Sequence, residues 1–127
     1  MTAAAISKLR RSLQQQQGGA VVEIVETHIS WVLLGVEYAY KIKKPVRLSF
    51  LDFSTLALRR SYCYRELALN RRYAPELYLD VVPVVRHNNH YAIVEDTTHR
   101  EGVIDYAVKM RRLDQAFLLN RRLDAGD

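Results

Sequence analysis

The sequence predicts an α+β fold in which an antiparallel sheet of about five strands packs against one long helix. Three observations predict this fold. Apolar residues recur at helical spacing near the N-terminus, three closely spaced strand segments follow, and a long helical segment separates them from further strands. The short connections between the first three strands favour an antiparallel meander, because parallel strands need long crossovers.

Each element follows from local pattern and from the residues that end it. The predicted elements are a helix over residues 4–17, strands over residues 21–25, 30–34, 38–43, 78–85, 91–95 and 104–111, a long helix ending near residue 74, and a last helix over about 114–123. Gly18-Gly19 ends the first helix and Pro45 ends the third strand. Asp52 and Ser54 are both suitable N-caps for the long helix.

The length of 127 residues fits one domain with some helical additions. We expect a helical segment over residues 1–19, a mixed lobe over residues 20–113, and a final helix over residues 114–127. Because 49% of the residues are apolar and 26% are charged, the composition is that of a globular protein and excludes a disordered or collagen-like chain.

The composition also bears on the surroundings of the protein. The apolar runs are too short to cross a bilayer, and no apolar stretch follows the basic N-terminal residues, so we expect a cytoplasmic protein without a membrane partner. Cys63 is the one cysteine, which excludes an internal disulfide and a thiolate metal cluster. A position on the packed helix face predicts that this thiol is inert.

The formal net charge of +5 favours anionic ligands in general. Much of the excess lies in arginine pairs at residues 10–11, 59–60, 71–72, 111–112 and 121–122. The pairs are scattered along the chain, which is typical of solvated helix faces and argues against a nucleic-acid-binding tract.

Glu66 is the acidic residue of the long helix that draws attention. At 100° per residue it lies near the middle of a face that also carries Tyr62, Cys63, Leu69 and Tyr73, and we expect this face to pack on the sheet. An unpaired carboxylate there would cost several kcal/mol, so it needs a cation. Arg59 and the lysines of the third strand are the candidates.

The third strand has two faces of different chemistry. Tyr38, Tyr40 and Ile42 point one way, whereas Ala39, Lys41 and Lys43 point the other way. A small residue two positions before a lysine leaves room for a flat ligand beside the ammonium group. A lysine on this strand and a glutamate on the next helix are the pair that kinase-like folds use at nucleotide phosphates. Lys41 is the predicted anchor, and Lys43 is its competitor.

Six segments, in order, resemble one protein family from about residue 21 to the C-terminus. They are ETHISWVLL (26–34), AYKIKKPV (39–46), FLDFST (50–55), RELALNRR (65–72), LYL (77–79) and AVKMR (107–111). The chain thereby resembles the bacterial aminoglycoside-phosphotransferase-like proteins, which are often fused to a P-loop ATP-binding domain. The resemblance implies the N-terminal lobe of a protein-kinase-like phosphotransferase and ATP as its cofactor.

The resemblance also implies roles for particular residues. Lys41 would anchor the phosphates with Glu66 as its helix partner, and Ala39 would be a further nucleotide contact. The other implied nucleotide contacts are Thr27, His28 and Ser30 of the hairpin over the phosphates and Met110, Arg111 and Arg112 of a hinge that extends to Leu113.

The sequence departs from the pattern of a complete kinase in two respects. The turn at Thr27–Ser30 lacks glycine, and an H-x-D-type catalytic loop is missing from the sequence. Asp52-Phe53-Ser54 resembles a metal-binding D-F-G motif but precedes the long helix, which indicates a helix entry. The predicted site therefore has no catalytic residue and no metal ligand, and Mg²⁺ is expected only where a second lobe supplies ligands.

The predicted function is an ATP-binding lobe that supports phosphoryl transfer to a hydroxyl acceptor when joined to a second lobe. The expected partners are a nucleotide and that second lobe or a fused P-loop domain. A basic nucleic-acid-binding module and a non-catalytic scaffold are the alternatives. Self-association of a scaffold would use an exposed apolar face made by Tyr106, Val108, Met110, Phe117 and Leu118. His87 and His90 are interpreted as a solvated turn.

Overall fold

A computed structural model describes residues 1–112, which form two helices and eight strands of an α+β fold. The elements are α1 (Ala3–Gln16), β1 (Glu23–Glu26), β2 (Ser30–Leu34), β3 (Tyr38–Lys43), β4 (Arg47–Leu48), β5 (Leu51–Asp52), α2 (Leu56–Arg71), β6 (Tyr78–His87), β7 (His90–Ile93) and β8 (Val103–Arg111). The predicted helix over 114–123, with Phe117 and Leu118, lies outside the described residues.

Six strands form one curled antiparallel sheet in the order β1-β2-β3-β8-β6-β7. All six strand segments that the sequence predicts belong to this sheet, so the expectation of about five strands was too low. The short β7 after the turn at Asn88 pairs fully with β6 and forms an edge of the sheet. A two-stranded hairpin, β4-β5, forms between β3 and α2 and was not predicted. The last strand, β8, lies between β3 and β6, so it joins the two halves of the sheet.

The two helices cover opposite faces of the sheet. The α1 helix places Ile6, Leu9 and Leu13 in a core with Trp31 and other side chains of the sheet. Its apolar side is therefore the one that the sequence predicts. The segment assigned to residues 1–19 thus packs on the lobe and contributes to its core.

The α2 helix packs on the other face through Cys63 and Leu67, which contact Val81, Tyr106 and Val108. The predicted packing face was wrong in part, because Leu69 and Tyr73 are 54% and 82% exposed. The packed face is rotated away from these two residues. As a result Glu66 lies at the border of the contact rather than at its centre.

The same packing corrects the expected self-association surface. Tyr106 and Val108 are buried beneath α2, so they cannot form an exposed apolar face. Met110 is half-buried at the edge of that core. Within residues 1–112, neither helix is long and apolar enough to cross a membrane.

The start of α2 also differs from the prediction. Thr55 is the N-cap, and its hydroxyl accepts a hydrogen bond from the Leu58 N–H at 3.1 Å. Asp52 instead accepts hydrogen bonds from the backbone N–H and the hydroxyl of Ser54. Asp52-Phe53-Ser54 is thus a turn that leads into the helix, as the sequence indicates.

Candidate functional site

The candidate site lies where β3 faces α2. Because side chains alternate along a strand, Lys41 and Lys43 point to the same face, and both reach Glu66 on α2. The Lys43 Nζ donates to Glu66 Oε1 at 2.6 Å, and the Lys41 Nζ lies 3.2 Å from Oε2. One carboxylate is therefore shared between two ammonium groups.

Burial and charge act in opposite directions on the Glu66 carboxyl. Burial by itself would raise the pKa, but the ammonium groups of Lys41 and Lys43 outweigh it and bring the pKa below its ordinary value. The carboxylate is thus ionised near neutral pH. Two cations and one anion leave one surplus positive charge, so the arrangement favours an anionic ligand.

The two lysines differ in their surroundings. The side chain of Lys43 is 7% exposed, whereas that of Lys41 is 29% exposed. The Lys43 Nζ also lies 5.1 Å from the centre of the Phe53 ring, within range of a cation–π contact. Phe53 is in turn held edge-on against Tyr62.

Arg59 does not contact Glu66, so this alternative partner is excluded. Its Nε donates to Asp105 Oδ1 at 3.1 Å and its Nη1 donates to the Phe53 carbonyl. Asp105 is fully buried, and burial raises its pKa while the Arg59 guanidinium opposes that change. Sequence reasoning missed Asp105, because its partner is 46 positions away and only folding brings them together.

Ala39 and Met110 lie at one end of the candidate site. They are directly opposed in the β3–β8 pair, and alternation places both on the face of Lys41. Arg111 is opposed to Tyr38, whose side chain belongs to the other face. The structure therefore brings Ala39 and Met110 to Lys41 but directs Arg111 away from it.

Arg112 closes the end of the sheet where β2 turns into β3. Its guanidinium donates to the carbonyls of Leu34 and Gly35, and its N–H donates to the Glu37 carbonyl. Arg112 thus ties the end of β8 to the β2–β3 turn. Leu113, the last residue of the predicted hinge, lies outside the described part of the chain.

The hairpin Thr27–Ser30 lies at the opposite end of the same face, because Ser30 pairs with Lys43. Its polar groups are largely satisfied within the turn. The Thr27 N–H donates to the Ser30 carbonyl, and the Thr27 hydroxyl accepts from the N–H groups of Ile29 and Ser30. His28 is exposed at the tip.

Cys63, His87 and His90 have surroundings that differ from those of the two lysines. Burial raises the pKa of the Cys63 thiol to about 12, so it is neutral beneath α2. His87 and His90 are opposed across the β6–β7 turn and both are exposed.

A cavity of about 540 Å³ lies on the opposite face of the sheet, next to α1. It is lined by Leu13, Gln16, Gln17, Val36, Glu37, Tyr38, Tyr40, Ile93 and Glu95. The Tyr40 hydroxyl donates to Glu95 at 2.9 Å, and burial of the ring raises the pKa of Tyr40. Because β3 separates this cavity from Lys41 and Glu66, it is not part of the candidate site.

Comparison with known proteins gives a short match to proteins without an assigned function. Over 60 residues, which are 47% of this chain, the sequence is 42% identical to uncharacterized proteins of Mycobacterium bovis and of two strains of Mycobacterium tuberculosis. The matched stretch covers 12% of each relative, so the chain corresponds to a small part of their length. No family model and no solved structure matches the sequence.

Proposed function

We propose that this chain is the nucleotide-binding lobe of a protein-kinase-like phosphotransferase, similar to the aminoglycoside-phosphotransferase-like proteins. The observation that carries the proposal is the ion pair between Lys41 on the third strand and Glu66 on the following helix. In kinase-like folds a lysine and a glutamate at these places hold the α- and β-phosphates.

The order of residues along the same face supports the proposal. Ala39 and Met110 lie at one end, Lys41 in the middle, and Lys43 with the hairpin Thr27–Ser30 at the other end. At the rise of a strand, Ala39 and Lys43 are about 13 Å apart. This length suits a nucleotide with its base near Ala39 and its phosphates near Lys41.

Phosphoryl transfer needs further groups, namely an aspartate near the attacking hydroxyl and oxygen ligands for Mg²⁺. We propose that a second lobe supplies them together with the acceptor site. The lobe described here then contributes ATP binding, and kinship of fold leaves the acceptor open.

Isothermal titration calorimetry with Mg²⁺-ATP tests the proposal. We expect wild type to bind and Lys41→Ala to bind about tenfold to a hundredfold more weakly, because a charge-assisted hydrogen bond contributes about 1.5–3 kcal/mol. Lys8→Ala is the matched control, since Lys8 is an exposed lysine of α1 on the opposite face. Equal affinity of wild type and Lys41→Ala, or no binding by wild type, would contradict the proposal.

A second candidate function is binding of nucleic acid by the outer face of α2. Arg60, Arg65 and Arg72 are exposed there, and among the ion pairs of residues 1–112 these three have no carboxylate partner. If this function holds, affinity for single-stranded DNA falls steeply with salt and drops in Arg65→Ala/Arg72→Ala. A flat salt dependence in fluorescence anisotropy argues against it.

A further inference from the structure

We infer that Lys41 and Lys43 have separate tasks: Lys43 is a positioning residue that permanently neutralises Glu66, and Lys41 is thereby released to bind an anionic ligand. The identity of that anion as a nucleotide phosphate rests on the proposed function. The division of tasks rests on geometry alone.

The contacts of the two lysines are unequal in distance, in burial and in contact with an aromatic ring. Lys43 makes the shorter contact to Glu66, 2.6 Å against 3.2 Å, and it is the more buried side chain, 7% exposed against 29%. Phe53 covers the Lys43 ammonium group from the side. Lys43 is therefore held in place, whereas Lys41 is partly open to solvent.

This inequality matters because a buried carboxylate is costly without a cation. If one lysine served both Glu66 and the ligand, every movement of that lysine toward the ligand would weaken the contact with Glu66. With Lys43 in place, Glu66 keeps a partner while Lys41 turns away. The surplus positive charge of the cluster is thus carried by Lys41, the lysine that a ligand can reach.

The hairpin Thr27–Ser30 next to the site makes the positive charge of Lys41 more important for binding an anion. The N–H groups of Thr27, Ile29 and Ser30 already have acceptors inside the turn. They are therefore engaged before a ligand arrives, and the lysine ammonium has to supply the attraction that free backbone N–H groups provide in glycine-rich loops. His28 at the tip keeps its own backbone N–H outside these bonds.

Four variants test the inference: Lys41→Met, Lys43→Met, and each of these combined with Glu66→Gln. Methionine preserves the length of the aliphatic stem and removes the charge. Both double variants keep the surplus charge of one, so they differ only in which lysine carries it. Affinity for ATP and for inorganic tripolyphosphate is measured by calorimetry, and the melting temperature by circular dichroism.

The expected results are asymmetric. Lys41→Met weakens anion binding at least about tenfold, with a melting temperature within about 2 °C of wild type. Lys43→Met lowers the melting temperature by more than about 5 °C and also weakens binding, because Glu66 then captures Lys41. Adding Glu66→Gln to Lys43→Met restores affinity to within about threefold of wild type, whereas adding it to Lys41→Met does not.

Equal recovery in the two double variants would show that the lysines are interchangeable and would overturn the inference. If wild type binds neither anion, the proposed function fails, and the inference is then decided by the melting temperatures, with equal decreases in the two single variants against it. Should Lys43→Met not fold, ¹⁵N NMR of the wild-type lysine ammonium groups decides. Slow proton exchange at Lys43 alone supports the inference, and similar exchange at both lysines overturns it.

Discussion

Glu66 illustrates how much of the candidate site depends on single ionisable groups. Its carboxylate lies at the border between α2 and the sheet and receives two ammonium groups from one strand. The Glu66 side chain is only 17% exposed, so water cannot fully take the place of either lysine as a partner of the carboxylate. The ionised Glu66 carboxylate therefore depends on having both lysines close to its partly buried position on α2.

The stability of the protein should depend on pH through Glu66. In the folded state its pKa lies below the ordinary value of 4.5, so the stabilisation is complete above pH 4.5 and is lost as pH falls through the folded value. Urea denaturation between pH 7 and pH 3 should show this decrease. Glu66→Gln should destabilise by about 2 kcal/mol at pH 7 and show a flatter pH dependence in that window.

The matched control for the pH experiment is Glu76→Gln, which removes an exposed carboxyl next to the end of α2. This variant should keep the pH dependence of wild type. If the curves of Glu66→Gln and wild type remain parallel below pH 4.5, Glu66 is not the group responsible.

Arg59 and Asp105 form the second ionic contact that α2 makes with the sheet, and here both partners are buried. Arg59→Leu should cost about 3–5 kcal/mol, because it removes the nearer cation of the buried Asp105 carboxyl and leaves only the N-terminal ammonium, 3.8 Å from Oδ2. In the double variant with Asp105→Leu, the cost should be at least about 1 kcal/mol smaller than the sum of the two single costs. Chemical denaturation measures all three, and simple additivity would refute the coupling.

At the scale of elements, α2 shows why its packed face differs from the prediction. The helix buries Arg59 together with Cys63 and Leu67, whereas Leu69 is exposed. The sequence places Arg59 only about 20° from Glu66 around the helix, and Cys63 and Leu67 lie about 60° and 100° to the same side, so the packed face is rotated toward Cys63 and away from Leu69. The ion pair of Arg59 with Asp105 lies on this rotated face and joins α2 to β8.

Two leucines of α2 distinguish the predicted packing face of the helix from the observed packing face. Leu67→Ala should destabilise by about 2–4 kcal/mol, because it removes a side chain that is 6% exposed and leaves a cavity beside Val81. Leu69→Ala should cost less than about 1 kcal/mol, since half of this side chain is already in water. Urea denaturation of both variants measures the two costs. Similar costs would contradict the observed packing face and favour the predicted one.

For the whole molecule, the central feature is a sheet with a core on each face. In β3, Tyr40 and Ile42 belong to the core under α1, whereas Lys41 and Lys43 face α2. A disturbance of either core therefore acts on the same strand. We expect the two cores to unfold together.

Leu9→Ala tests this coupling from the side remote from the candidate site. Leu9 is fully buried, so the change should cost about 2–5 kcal/mol. Because the sheet is shared, Trp31 fluorescence and far-ultraviolet circular dichroism should report the same, lowered midpoint in urea. Leu48→Ala in the exposed β4 strand is the control, and two separate transitions for Leu9→Ala would indicate independent cores.

Local features of the fold follow from the amino-acid pattern alone. The bounds of β2 and β3 are those predicted, and so is the alternation that puts Ala39, Lys41 and Lys43 on one face. These features depend on residues that are neighbours in the sequence. Turn residues end a strand, and successive side chains of a strand point to opposite faces of the sheet. The sequence also predicts that Glu66 pairs with a cation, because its position on the helix places it on a face that packs against the sheet.

The identity of the cation beside Glu66 follows from long-range packing. It directed Arg59 to Asp105 and left Glu66 to both lysines, with Lys43 the closer and more buried of the two. It also placed the small β4-β5 hairpin and set β8 between β3 and β6 in the sheet. Such choices depend on residues far apart in the chain, whose burial and charge are matched only after the helix and the sheet have packed.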